Sequence, residues 1–259
     1  MDATHAIRAS KVPEVTLAFW VIKIAATTLG ETAGDALSMT MGLGYAVSSA
    51  IFFACFIVAV TAQVAATRFH RFLYWAVIVA TTTVGTTMAD FADRSLGIGY
   101  VGGSLLLFAI LMVVLGSWRY ATGSIAVDAI TTPKAELFYW TTILFSNTLG
   151  TALGDFLADD SGLGFAGGAL VFAGALALLV AAYGFTSLSR TLLFWAAFIL
   201  TRPLGATLGD LMTKPHGDGG LALSRIASSS VIAVFIIACI LMFTSAQAGA
   251  HPAASRVSD

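Results

Sequence analysis

The stretch FWVIKIAATTLGETAGD (residues 19–35) decides the fold because it returns three times, as YWAVIVATTTVGTTMAD (74–90), YWTTILFSNTLGTALGD (139–155) and FWAAFILTRPLGATLGD (194–210). Each copy pairs an aromatic residue with a Trp, places a Gly ten residues after that Trp and an Asp five further on, all in hydrophobic sequence. A second signature follows each Asp at constant spacing: GLGY, GIGY, GLGF and GDGG, the first Gly seven residues on and the next two later. A carboxylate in apolar sequence costs at least a few kcal/mol when it lies inside a bilayer, so a fourfold placement implies a purpose.

Composition supplies the bilayer. Hydrophobic residues make up 58% of the chain and charged residues only 10%, against roughly 25% charge in soluble domains. The formal net charge of -1 leaves no basic excess for nucleic acid, so the expected partners are the lipid bilayer and a small inorganic cation. Eight apolar segments are long enough to span, at about 15–38, 43–66, 72–93, 96–118, 137–158, 163–186, 190–212 and 221–246. The first is read as an uncleaved membrane helix, since no small-residue cleavage site follows it. Cys55 and Cys239 lie inside apolar runs and read as small hydrophobes.

The odd segments carry Lys23, Glu31, Asp35, Asp90, Asp93, Asp155, Arg202 and Asp210, and the even ones are uncharged through their cores. Because charges inside a membrane face protein or water, the odd helices are expected to form an inner layer and the even ones an outer layer. The Trp residues at 20, 75, 140 and 195 are spaced by 55, 65 and 55. One half therefore maps onto the other, as expected for a duplicated hairpin that was duplicated again. The division reads as a first half at 1–118, a linker at 119–136, a second half at 137–246 and a tail at 247–259. With an even number of spans per repeat, all four copies enter the same way up. The fold class is all-α and polytopic, four helical hairpins around a pseudo-symmetry axis along the membrane normal.

Arg8, Lys11, Arg68, Arg71, Arg119, Lys134, Arg190 and Arg256 fall on the side of both termini, against Arg94, Lys214 and Arg225 on the other. The positive-inside rule then places both termini in the cytoplasm of a cell whose inner membrane holds the protein. With each Trp at the cytoplasmic interface, the Asp lies about 22 Å across a core of about 30 Å. Lys23, Thr27, Glu31 and Asp35 share one helix face at i, i+4 spacing, and Thr82, Asn147 and Arg202 stand at the place of Thr27 in the other copies. Lys23 with Glu31, and Arg202 with Asp210, are candidate neutralising pairs two turns apart.

Five acids, Glu31, Asp35, Asp90, Asp155 and Asp210, against two bases, Lys23 and Arg202, leave three negative charges. Each Asp also sits near the electronegative C-terminal end of its helix, which favours a cation. The ligand set is carboxylate, hydroxyl, amide and carbonyl oxygen, while His5, His70, His216 and His251 lie outside the spans. Such oxygens suit Mg²⁺, Ca²⁺ or Mn²⁺. The Gly30/Gly34, Gly150/Gly154 and Gly205/Gly209 pairs, with Gly85/Ala89 as the second copy, either let helices pack closely or loosen them so that carbonyls reach an ion.

The runs KIAATTLGETAGDALSMT (23–40), TTTVGTTMADFADRSLGIGY (81–100), SNTLGTALGDFLADDSGLGF (146–165) and TRPLGATLGDLMTKP (201–215) resemble, across nearly the whole chain, a bacterial family of uncharacterised membrane-anchored proteins. Glu31, Gly34 and Asp35 are also similar to the acidic Gly-Asp motifs of small manganese and calcium exporters with repeated helices. Those motifs read Glu-x-Gly-Asp before a basic residue and Ser or Thr, whereas here Ala36, Leu37 and Ser38 follow and only the first repeat has the Glu. The likeness implies a divalent cation. The expected function is therefore a transporter, not an enzyme, without a resident cofactor, carrying a hard divalent cation with Mn²⁺ favoured. Glu31, Asp35, Asp90, Asp155 and Asp210 are its expected metal-facing groups, with Thr27, Thr82, Asn147, Lys23 and Arg202 around them. An organic-anion transporter, a membrane scaffold and an intramembrane aspartyl protease are the alternatives.

Overall fold

The computed structural model describes residues 11–127 and 130–249. Arg8, Arg256, His5 and His251 lie outside the described residues, as does the tail beyond 249. Among the described residues eight α-helices form: α1 (Leu17–Asp35), α2 (Gly44–Ala65), α3 (Arg71–Asp90), α4 (Tyr100–Thr122), α5 (Pro133–Asp155), α6 (Gly164–Phe185), α7 (Arg190–Thr213) and α8 (Arg225–Gly249). Their starts follow from local chemistry. The Thr16 hydroxyl accepts from the Phe19 N–H and the Thr132 hydroxyl from the Ala135 N–H, with Pro133 opening α5. Beyond Asp35, Asp90 and Asp155 the chain continues as one π-helical turn, Ala36–Thr40, Phe91–Ser95 and Phe156–Asp160, a widening that recurs at functional positions. The fourth copy leaves the helix at Lys214, before Pro215.

The odd helices form a closed ring in the order α1, α3, α5, α7, and the even helices stand outside it. Among the described residues, six helices are long and apolar enough to cross a membrane: α2, α3 with its π turn, α4, α6, α7 and α8. The remaining two, α1 and α5, stand between α3 and α7 on opposite sides of the ring. Burial separates the layers, since 22%, 17%, 22% and 22% of the apolar stretches of α2, α4, α6 and α8 are buried against 67% for α3 and α7. Outer helices charged only near their ends and inner helices with the charges beyond their first turns buried in the ring are what intramembrane charge requires.

Each outer helix packs chiefly on the inner helix of the next repeat: α2 on α3, α4 on α5, α6 on α7, and α8 back on α1. The repeats thereby interlock, and the last closes on the first. Lys11 fastens the entry, donating to the carbonyls of Gln63, Val64 and Ala66 at the end of α2 and pairing with Glu136 of α5 at 2.6 Å.

Glycines set how closely the ring closes. A Cβ on Gly30 would lie 2.3 Å from the Thr82 hydroxyl oxygen, one on Gly150 2.4 Å from Arg202 Cγ, and one on Gly205 2.1 Å from the Thr27 hydroxyl oxygen. The fourth seam is looser, with Gly85 3.0 Å from the Thr148 nitrogen. Each seam therefore presses the Gly of one repeat onto the Thr27-equivalent region of its neighbour. Close packing is the role these glycines take, and the inner helices run unbroken past them. Hydroxyls bridge the same seams: Thr82 donates to the Ala26 carbonyl at 3.1 Å, and Thr27 to the Thr201 carbonyl at 3.2 Å.

Candidate functional site

The i, i+4 faces of the four inner helices stack into five layers along the ring axis. From the Trp end they are Phe19, Tyr74, Tyr139 and Phe194; Lys23, Ile78, Ile143 and Phe198; Thr27, Thr82, Asn147 and Arg202; Glu31, Thr86, Thr151 and Ala206; and Asp35, Asp90, Asp155 and Asp210. Every residue of these layers is buried. The Asp quartet thus stands at one level inside the ring, as its spacing predicts.

The Trp end is an aromatic seal. The Tyr74 and Tyr139 hydroxyls meet at 2.6 Å, and Phe19 packs with Trp75 and Phe194 at centroid separations of 5.5 and 6.3 Å. Trp75, Trp140 and Trp195 are buried in this cluster and only Trp20 is partly exposed, so three of the four are seal residues and not an interfacial belt. The Trp195 N–H donates to the Ile125 carbonyl at 2.9 Å, which draws the connection between the two halves over the seal, with Ile130 buried against it.

Below the seal, the Lys23 ammonium lies 4.1 Å from the centroid of the Phe198 ring and donates to Asn147 Oδ1 at 3.3 Å. Asn147 in turn donates to the Thr81 hydroxyl at 3.0 Å. Lys23 makes no ion pair with Glu31, contrary to the pairing suggested by their shared face. The ring face and the amide oxygen stabilise the ammonium instead.

Glu31 pairs with Arg202. Nη2 of Arg202 donates to Glu31 Oε2 at 3.0 Å, to the Thr151 hydroxyl at 2.6 Å and to the Thr86 hydroxyl. One guanidinium from α7 therefore touches α1, α3 and α5, which puts it on the ring axis, one layer beyond its own. Its Nε and Nη1 are buried without a hydrogen-bond partner. The proposed pairing of Arg202 with Asp210 does not form, because the extended side chain points towards the layer of Glu31, whose carboxylate was four residues out of register with it in sequence.

The Asp layer is bridged by cations from the far end. Lys214 lies 2.8 Å from Asp35 Oδ2 and 3.1 Å from Asp210 Oδ1, and Arg225 lies 3.5 Å from Asp35 Oδ2. Arg94 pairs with Asp90 at 2.9 Å and reaches Asp155 and Asp159 at 3.7 Å each. Burial pulls the Lys214 pKa down, but Asp210 and Asp35 beside it prevail and hold it well above its ordinary range. The five acids of these layers are thus matched in number by five bases: Arg202, Arg94, Lys214 and Arg225 in ion pairs, and Lys23 held by Asn147 and Phe198. The three uncompensated negative charges read from the sequence are cancelled by the three basic residues that counted there only towards sidedness. The signal was present: Arg94 and Lys214 each follow their Asp by four residues, on the same helical stripe.

Within this network, Glu31, Asp35 and Asp210 each offer a carboxylate oxygen, and the three atoms lie within 4.8 Å of one another. Asp90 and Asp155 stand with Arg94 on the opposite seam and do not join that group.

The repeats also have a counterpart outside the chain. A family described as Repeat of Unknown Function (DUF347) matches residues 18–69, 73–124, 138–188 and 193–248, one match for each inner helix with the outer helix that follows it. The chain belongs to this DUF347 family. No curated protein and no solved structure matches it. The four matches agree with the expected family of four-repeat membrane proteins, and the comparisons give no support to the likeness to manganese and calcium exporters.

Proposed function

We propose that this protein is a multi-pass transporter of the bacterial inner membrane that exports or exchanges a hard divalent cation, Mn²⁺ being favoured. The observation that carries the reading is the convergence of Glu31, Asp35 and Asp210. Three oxygens within 4.8 Å of one another have a centre at most about 2.8 Å from each, close to the 2.0–2.6 Å that Mg²⁺ or Ca²⁺ takes from oxygen ligands. Small rotations of the carboxylates bring the atoms into range, with Asp90, Asp155, Thr27, Thr82 and Asn147 extending the polar path on either side. The protein needs no cofactor beyond its cargo and carries out no bond chemistry. Both termini lie in the cytoplasm, so the aromatic seal faces inward. Reporter fusions near Arg68, Lys134 and Arg190 give cytoplasmic signals on this reading, and a periplasmic one at any of them breaks it.

A deletion strain grown across a panel of metals, with cell metal contents measured, is expected to show one divalent metal shifting. In reconstituted vesicles, Glu31→Gln and Asp35→Asn abolish uptake of that metal at normal protein abundance, and Asp90→Asn weakens it less. If both of the first two variants transport like the wild type, the carboxylates are packing partners and the reading fails. A second reading is favoured by the unpartnered Nε and Nη1 of Arg202 and by Lys23, which has an amide and a ring face for company. Those donors suit a small organic anion. Unchanged contents of every metal, with Arg202→Gln abolishing anion flux, decide for it.

A further inference from the structure

The fourth repeat departs from the other three in the turn that follows its Asp, and the departure delivers a cation to the carboxylate group. After Asp35, Asp90 and Asp155 the chain makes a π turn and then a tight turn at paired glycines, with Gly42 and Gly44 at φ of 70° and 74°. After Asp210 it leaves α7 at Lys214 in an extended conformation, makes a short turn at His216–Asp218, and folds back along the helix end. The N–H groups of Leu221, Ala222 and Leu223 donate to the carbonyls of Leu211, Lys214 and Met212 at 2.7, 2.9 and 2.9 Å. The returning strand of chain fixes the backbone of Lys214, whose ammonium then lies between Asp35 and Asp210. At the equivalent position the other repeats have Met39, Arg94 and Asp159, so the ammonium is peculiar to the seam where Glu31 also stands.

Asp35 supplies the second observation. It is 1% exposed; its Oδ2 holds Lys214 and Arg225, while its Oδ1 is buried with no hydrogen-bond partner. The carboxylate thus keeps an unused ligand atom next to a cation that is already in place. On the reading of Glu31, Asp35 and Asp210 as a cation site, we infer that Lys214 is a tethered competitor occupying the cargo's position, and that it determines selectivity for divalent over monovalent cations.

The argument is one of charge and effective concentration. A monovalent ion that displaces the ammonium leaves the charge among the three carboxylates unchanged. It must also compete against a tethered rival present at an effective concentration on the order of millimolar or above. A divalent ion meets the same rival but adds one positive charge in a low-dielectric setting, where each charge interaction is strong. The tether therefore taxes both classes of ion and excludes the one that brings no extra attraction. Lys214 acts by competition and need not touch the cargo.

The test measures Mn²⁺ binding to the purified full-length protein in lipid nanodiscs, with and without Na⁺ as competitor. Lys214→Met is expected to tighten Mn²⁺ binding by about tenfold or more and to make it sensitive to Na⁺ at millimolar concentrations. Lys214→Arg keeps a tethered cation with a two-pronged hold on the carboxylate pair and is expected to bind Mn²⁺ more weakly than the wild type. It decides the matter should Lys214→Met fail to fold. Equal affinity and equal Na⁺ sensitivity in the wild type and the folded variants overturn the competitor role and leave the cation site standing. Absence of binding in all of them, with Glu31→Gln and Asp35→Asn no different, removes the cation site and the competitor with it.

Discussion

Two opposite seams of the inner ring have the same construction and different chemistry. Where α3 meets α5, the contacts are a Tyr74–Tyr139 hydroxyl pair and a hydrogen bond from the Asn147 side-chain amide to the Thr81 hydroxyl, with Arg94 beside Asp90 at the end. Where α1 meets α7, the same layers hold Lys23 over Phe198, Arg202 on Glu31, and Lys214 between Asp35 and Asp210. Both seams press a glycine onto the neighbouring helix. Duplication thus preserved the shape of the ring and let its charge concentrate on one side. The lesson is that similar repeats can hold one frame while the acids that converge, Glu31, Asp35 and Asp210, come from one seam alone.

The sharpest way to break this comparison is to remove Arg202. Arg202→Met leaves Glu31 buried without its base and is expected to destabilise the protein by about 3–5 kcal/mol, read as a lower temperature of thermal unfolding in detergent. Arg202→Met combined with Glu31→Gln is expected to be more stable than Arg202→Met alone, because the stranded charge is gone. A cost as small for Arg202→Met as for a change on the α3–α5 seam would mean that the charge asymmetry carries no energy. Packing gives an intermediate effect. Gly205→Ala places a methyl 2.1 Å from the Thr27 hydroxyl oxygen and is expected to cost about 1–3 kcal/mol, partly recovered by Thr27→Ala. Gly85→Ala meets its nearest atom at 3.0 Å and should cost less; the reverse order would show the α3–α5 seam to be the tighter one. The smallest effect belongs to the aromatic seal. Tyr74→Phe removes one side of a 2.6 Å hydroxyl pair and is expected to cost about 1 kcal/mol while metal binding stays at the wild-type level. A change in metal affinity on Tyr74→Phe would tie the seal to the site and blur the distinction between the seams.

Much of the architecture was legible before any coordinates. Apolar segment length and the confinement of charge to alternate segments identify inner and outer helices, because bilayer thickness and the cost of buried charge leave few alternatives. The spacing from Trp to Asp also placed the carboxylates in one layer. The partners were less legible. Periodicity says which face of a helix is buried but not which neighbour covers it, so nothing in the sequence assigns α2 to α3 or α8 to α1. Long side chains add a second ambiguity: Arg202 belongs to the layer of Asn147 by backbone and to that of Glu31 by guanidinium. Arg94 and Lys214 were judged by the side of the membrane their loops occupy, whereas their heads turn back one helical turn into the Asp layer. The Trp residues followed the general preference for interfaces in expectation, and the ring overrode it by offering them a buried aromatic cluster.

The closing of α8 and α7 onto α1 has a consequence for how the protein is made. Glu31 finds its arginine 171 residues later in the chain, and Asp35 its lysine 179 residues later. During synthesis α1 therefore emerges with Lys23, Glu31 and Asp35 long before the bases that answer the acids and the outer helix that covers its flank. A helix with three charges is poorly suited to wait alone in hydrocarbon. Its stable placement depends on sequence translated much later, so the nascent protein remains an open chain of hairpins until the fourth repeat arrives, and truncation anywhere before α7 leaves the first helix without its companions.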